Sequence, residues 1–167
     1  MAAKRTPAER RQLNELLTRD HTLNGAILFG LDGYVIEMQA RAMEILDKPH
    51  PLASATKISG MARECVKESL DRIAGALAKL NIAESAVRVM VNLAPADLPK
   101  DGTWLDLPLA ILMLQAAGAL PDLAEYREGD YIIFGEVGRG AFVRLRAFLF
   151  VIFRWRRRPM VEFGECF

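Results

Sequence analysis

The spacing of apolar positions changes along the chain, and each change marks an element. Tyr34, Ile36, Met38 and Ala40 alternate with Glu37, Gln39 and Arg41, which predicts a strand with one buried face over Tyr34 to Ala42. Gly25 to Phe29 precedes it across Gly30-Leu31-Asp32-Gly33, so the two segments read as a β-hairpin. A short strand is predicted at Thr56 to Ser59. From Ala62 to Leu80 the spacing lengthens: Val66, Leu70, Ile73, Leu77 and Leu80 recur at three- and four-residue steps, the signature of a helix with one buried stripe, which Asn81 can close. Val87 to Leu93 reads as a buried strand. Leu107 to Ala117 is apolar almost throughout and stops at Gly118, which predicts a helix covered on most sides. Asp130 to Phe134 reads as another strand, followed by a glycine-rich turn at Gly135 to Gly140 and a strand-like stretch from Phe142.

Polar punctuation completes the pattern. Thr6-Pro7-Ala8-Glu9 pairs a capping hydroxyl with a first-turn proline and a glutamate able to reach back. Leu13, Leu16 and Leu17 then give a narrow stripe, so a short accessory helix is predicted, ending near Asp20. Asp47 to Ser54 carries Pro49 and Pro51 and no period, which reads as an exposed loop, as does Ala94 to Thr103. Helices and strands thus alternate in an α/β (α+β) layer structure, with an N-terminal helical extension over 1–22, one domain over 23–146 and a divergent tail over 147–167.

A chain of 167 residues, 51% of them apolar, accommodates one ordinary domain with its own core. The formal charge of +1 gives no bulk field towards nucleic acid or anionic membrane. The basic excess is local, at Arg139, Arg144, Arg146, Arg154, Arg156, Arg157 and Arg158. Cys65 and Cys166 are too few for a disulfide framework or cysteine-rich zinc site, which points to a reducing cytoplasm. The charged segment Met1 to Arg11 lacks the apolar stretch of a secretory signal. Ala147 to Phe153 is far short of the ~20 apolar residues a span needs, so no membrane association is expected.

The stretch Val91-Asn92-Leu93-Ala94-Pro95-Ala96-Asp97-Leu98-Pro99-Lys100-Asp101-Gly102, followed by Leu105-Asp106-Leu107-Pro108-Leu109-Ala110, closely resembles the signature of the ComM/YifB magnesium-chelatase-like family of AAA+ ATPases. Gly30 to Glu37, Val66 to Ile73 and Tyr131 to Glu136, with Gly135 and Glu136 at its end, match the same family in the same order. The resemblance covers about residues 26 to 146 and implies a fold similar to the proteolytic domain of Lon (ribosomal-protein-type domain 2-like), a mixed sheet packed with two main helices. Physical reasons shape the same loop. Pro95 and Pro99 bar regular structure, Asp97 can form a local turn and Gly102 can take angles closed to other residues. Asp106 reads as the cap of a helix that begins with Leu107 and Pro108.

In Lon a serine and a lysine form the catalytic dyad, and the resemblance puts Trp104 at the serine position. An indole cannot attack a carbonyl. No serine follows Ser85 and no lysine follows Lys100, and the later arginines stay protonated. Thr103, the neighbouring hydroxyl, reads as a loop residue. The chain has no Gly-Lys dipeptide, whereas a P-loop needs that lysine for phosphates. No catalytic residue, cofactor or metal ligand is therefore expected. His21 and His50 read as solvated, and Cys65 as a small packing residue.

The resemblance implies that in complete relatives this domain accompanies a ring-forming ATPase that binds DNA and promotes branch migration during natural transformation. The expected role is a non-catalytic assembly module, partnered by an AAA+ ATPase module or by its own copies. The tail departs from the family pattern. Ala147 to Phe153 and the run Arg154, Trp155, Arg156, Arg157 and Arg158 read as a frameshifted gene end, as a stand-alone nucleic-acid contact using charge and an indole, or as an apolar strand with a solvated basic cap. A remnant Lon-type peptidase is the remaining alternative.

Overall fold

The computed structural model describes residues 5–29, 32–60, 64–82, 84–100, 102–121, 131–138 and 153–154. Helix α1 spans Pro7–Leu16, strand β1 Asp20–Phe29, β2 Asp32–Pro51 and β3 Thr56–Ser59. Helix α2 spans Glu64–Lys79, β4 Glu84–Ala94, α3 Asp106–Ala116, β5 Tyr131–Ile132 and β6 Phe153–Arg154. The strands form one mixed sheet in the order β3-β4-β2-β1-β5-β6. β2 is antiparallel to both β1 and β4, while β3 runs parallel to β4 and β5 parallel to β1.

Alternation decides which face is covered. Ile36, Met38, Ala40 and Ala42 on β2 and Val87, Val89, Val91 and Leu93 on β4 are all buried. They point to the side where α3 lies against β1, β2 and β4, with α2 packed on α3. Each wholly buried Val or Leu contributes roughly 1.5–3 kcal/mol of transfer free energy, so these strands and α3 supply most of the core. The other face is exposed and mixes apolar side chains such as Leu28 and Val35 with charged pairs. Arg41 clasps Asp20 through two bonds of 2.5 and 2.6 Å, and Arg88 meets Glu44 at 2.5 Å. Exposed pairs of this kind add at most about 1 kcal/mol each.

Three helix ends follow the expected chemistry. Thr6 and Glu9 form the reciprocal capping box of α1, with bonds of 2.7 and 3.3 Å. Asn81 closes α2 at φ 55°, while Ile82 N–H donates to the Leu77 carbonyl over 3.1 Å. Gly118 leaves α3 at φ 72°.

The hairpin was expected shorter than it is, and the loop after it longer. β1 begins at Asp20, and β2 continues through the predicted Asp47 to Ser54 loop as far as Pro51, with Leu52 and Ala53 buried behind it. β1 pairing ends at the Asp20–Arg41 step, beyond which β2 pairs with β4 alone among the described residues. A strand with one unpaired edge tolerates proline, and the register shift between Ile45 and His50 takes Pro49 off the ladder. The predicted 130–134 strand shortens to Tyr131–Ile132. The strand expected from Phe142 falls outside the described residues up to Phe153.

Candidate functional site

The signature segment leaves β4 through a cis Ala94–Pro95 peptide. Pro95, Ala96 and Asp97 are exposed, Leu98 and Pro99 half-buried, and Lys100 is wholly buried. The Lys100 ammonium turns back and donates to the Pro95 carbonyl, tying the loop across its neck. Burial lowers the Lys100 pKa from its ordinary 10.5, and the nearby Asp97 carboxylate opposes that shift. Gly102 takes φ 89°, and a Cβ there would stand 3.2 Å from the Trp104 ring. Glycine thus lets the chain turn tightly under that indole.

Asp106 corrects the expectation drawn from the sequence. It is not the cap of α3: Leu105 occupies that position without a side-chain cap bond, and Asp106 is the first helical residue. Its carboxylate, 0% exposed, instead receives Arg72 of α2 through Nε at 2.7 Å and Nη2 at 2.9 Å. It also accepts Val137 N–H at 3.3 Å. Arg72 Nη2 donates further to Ser69 Oγ at 3.0 Å, and Glu68 stands 3.9 Å from Nη1. The hydrogen bonds that Arg72 donates to Asp106 raise its pKa, burial opposes that shift, and the charges of Asp106, Glu136 and Glu68 add smaller increases.

The same node fastens the 133–137 segment to α3. Gly135 N–H donates to the Trp104 carbonyl at 2.8 Å, and Leu107 N–H to the Gly135 carbonyl at 3.0 Å. The second bond satisfies one of the amides a helix start leaves unpaired. Trp104 and Phe134 pack tilted, with centroids 5.9 Å apart. A side chain at Gly135 would press on Leu107 at 3.3 Å.

The structure therefore gathers Asp106 and the charge of Glu136 at Arg72, Gly135 against Trp104 and Leu107, and Lys100 with Pro95. Asn92 stands apart on the exposed sheet face, where Ser59 Oγ donates to its Oδ1 at 3.0 Å. Pro108 is buried inside α3. Sequence reasoning missed Arg72. Its signal was an arginine flanked by Ser69 and Ile73 on the buried side of α2, both of which are fully buried. His21 is a second correction: expected in water, it is 5% exposed, because its alternation partner on β2 is the core residue Ala40. His50 is exposed, as expected. Arg154 lies in β6, and Trp155, Arg156, Arg157 and Arg158 lie outside the described residues.

Chemically, Lys100 and Asp106 of the signature act within the fold, an ammonium on a carbonyl of its own loop and a carboxylate on a neighbouring guanidinium, while Asp97 is exposed. Among the described residues, no cluster of three or more His, Cys, Asp and Glu side chains is placed to hold a metal. No described helix is long and apolar enough to cross a membrane.

A family model described as subunit ChlI of Mg-chelatase matches residues 49–157. Its span runs past Arg146, where the motif resemblance stops. The chain is 41% identical over 73 residues to the competence protein ComM of Haemophilus influenzae, covering 44% of this chain and 14% of that protein. It is 37% identical over 78 residues to the uncharacterized protein YifB of Escherichia coli, covering 47% of this chain and 15% of that one. The uncharacterized protein Rv2897c of Mycobacterium tuberculosis is 30% identical over 92 residues, covering 55% and 17% respectively. The chain thus spans only a small part of the length of the curated relatives it matches.

Proposed function

This chain belongs to the magnesium-chelatase-like family of ComM and YifB, and from that premise we propose that it is a non-catalytic, Lon-like assembly domain. On this reading it presents a preshaped loop to an AAA+ ATPase module. The observation that carries the proposal is the inward use of two of the signature's charged groups, Lys100 and Asp106. Lys100 holds Pro95, and Asp106 binds Arg72 and the Val137 amide, so residue types suited to acid–base work set the shape of the loop instead. What remains outward is Pro95, Ala96 and Asp97, flanked by half-buried Leu98, Pro99 and Trp104. A rigid ledge of this kind favours recognition, because little ordering entropy is lost on binding.

The relative named as a competence protein suggests competence as the setting of the whole assembly. ATP hydrolysis and work on DNA would be tasks of the ATPase module, since this chain has no Gly-Lys dipeptide with which to build a P-loop.

The test is sedimentation velocity of the full chain mixed with the separately produced remainder of the Haemophilus influenzae ComM protein. A complex that weakens at least ~10-fold when Leu98→Asp places a charge in the ledge supports the reading. Independent sedimentation of the two components overturns it. In parallel, casein turnover by the wild-type chain that disappears in Thr103→Ala would replace the assembly role with a peptidase.

A further inference from the structure

Helix α1 is held to the domain differently from every other helix. It contains no buried residue; only Leu13, Leu16 and Leu17 reach the core, and each is partly buried. Between Glu15 and Leu16 on one side and Gln115, Gly118 and Leu120 on the other lies a cavity of about 190 Å³. That is room for several waters in the seam. Just ahead of the helix, Arg5 donates to the Leu46 carbonyl.

The seat itself is specific. α3 ends in a left-handed turn at Gly118 with φ 72°. The bare backbone there leaves a notch in which Leu16 Cδ2 stands 3.0 Å from the place a Cβ would occupy. Leu16 thus plugs a gap that exists because α3 closes on glycine. The capping box at Thr6 and Glu9 satisfies the far end of α1 without help from the domain.

We propose that α1 is a releasable strap, docked by Leu16 in the Gly118 notch, which detaches as a unit and uncovers the C-terminal end of α3 while the sheet, α2 and α3 stay folded. An isolated helix of ten residues is marginal in water, so release and unwinding occur together. Half-buried leucines over a cavity supply far less docking energy than the wholly buried rows of β4, which puts α1 at the low end of local stability. This inference does not depend on the assembly role, because its readouts are internal to the chain.

Hydrogen exchange on the full chain tests it, with limited trypsin digestion alongside. The α1 amides should exchange at least ~100-fold faster than those of Val89 and Val91, with little denaturant dependence. Trypsin should cut after Arg10 or Arg11 without loss of sheet signal in circular dichroism. Leu16→Asp should speed both processes by about tenfold through loss of the plug, and Leu16→Met should change them less than about twofold. If Leu16→Asp fails to fold, Leu16→Ala and the wild-type exchange pattern decide. The strap is overturned if α1 amides share the rate and denaturant dependence of β4, or if removing the Leu16 side chain leaves α1 exchange unchanged.

Discussion

Replacing Asp106 by Ala separates the two roles its position allows. A helix cap contributes about 1 kcal/mol, and its loss would be indifferent to Arg72. The observed carboxylate, 0% exposed, holds Arg72 by bonds of 2.7 and 2.9 Å, and 15% of the Arg72 side chain stays in water. Breaking a buried pair from one side costs roughly 3–5 kcal/mol, because the surviving charge is stranded. The residual exposure of Arg72 argues for the low end, so Asp106→Ala should cost about 3 kcal/mol. The 3.3 Å bond from Val137 N–H is lost as well. Urea unfolding followed by circular dichroism should register a midpoint fall of roughly 1–3 M at unchanged slope. Arg72→Met completes a double-mutant cycle. With both charges gone nothing is stranded, so the double variant should regain stability over Asp106→Ala, with a coupling of at least ~2 kcal/mol. A loss near 1 kcal/mol for Asp106→Ala together with additive single effects would refute the pairing argument and restore the cap.

The other predictions concern the loop, the sheet edge and α1. Lys100 has its pKa lowered by burial, so the unfolded chain binds the proton more tightly than the folded one. The wild-type chain should therefore gain stability as pH rises towards 10.5, while Lys100→Met should not. Unfolding midpoints at pH 7 and at a pH near 9.5 check this, and parallel pH curves for the two proteins would refute it. Gly60 has φ 92°, and a Cβ there would come within 2.0 Å of the Leu93 carbonyl oxygen. Gly60→Ala should cost at least ~3 kcal/mol, the left-handed strain of about 1–2 kcal/mol being compounded by a backbone clash, and a melting point within a few degrees of wild type would count against it. Thr6→Ala removes one arm of the capping box and should raise α1 exchange by about threefold to tenfold, corresponding to a cap worth ~1 kcal/mol, while β4 exchange stays fixed.

Periodicity carried most of the fold. The alternation on β2 and β4 and the stripe of α2 each report one buried face, and one buried face is what periodicity encodes. Thr6-Pro7-Ala8-Glu9, Asn81 and Gly118 located helix ends because capping chemistry is local. The errors arose where pairing outranks composition. Pro49 and Pro51 read as loop, yet β2 accommodates them because β1 has already ended and the ladder slips there. His21 read as surface because the residues beside it in sequence are polar, whereas its depth is set by Ala40 across the ladder. The likeness of the whole fold to Lon rests on the resemblance alone.

The signature was legible as a motif but not as a mechanism, and the reason is physical. Lysine, aspartate and glycine in a proline-bounded loop are the residue types from which catalytic and phosphate sites are built, and equally those that shape a loop lacking regular hydrogen bonds. Burial and partner distinguish the two uses, and neither is written in the segment itself. The partner of Asp106 lies 34 residues upstream, on α2, and the amide that closes on it is that of Val137, 31 residues downstream. A ligand-binding carboxylate needs a free side towards solvent, whereas this one is enclosed by α2, α3 and the returning segment. The node therefore acts as a three-way fastener: anything that pulls on residues 133–137 also pulls on the first turn of α3 and, through Arg72, on α2. A partner that engages the exposed Glu136 would in this way be felt in the packing beneath the loop, through the Asp106–Arg72 pair whose strength the cycle measures.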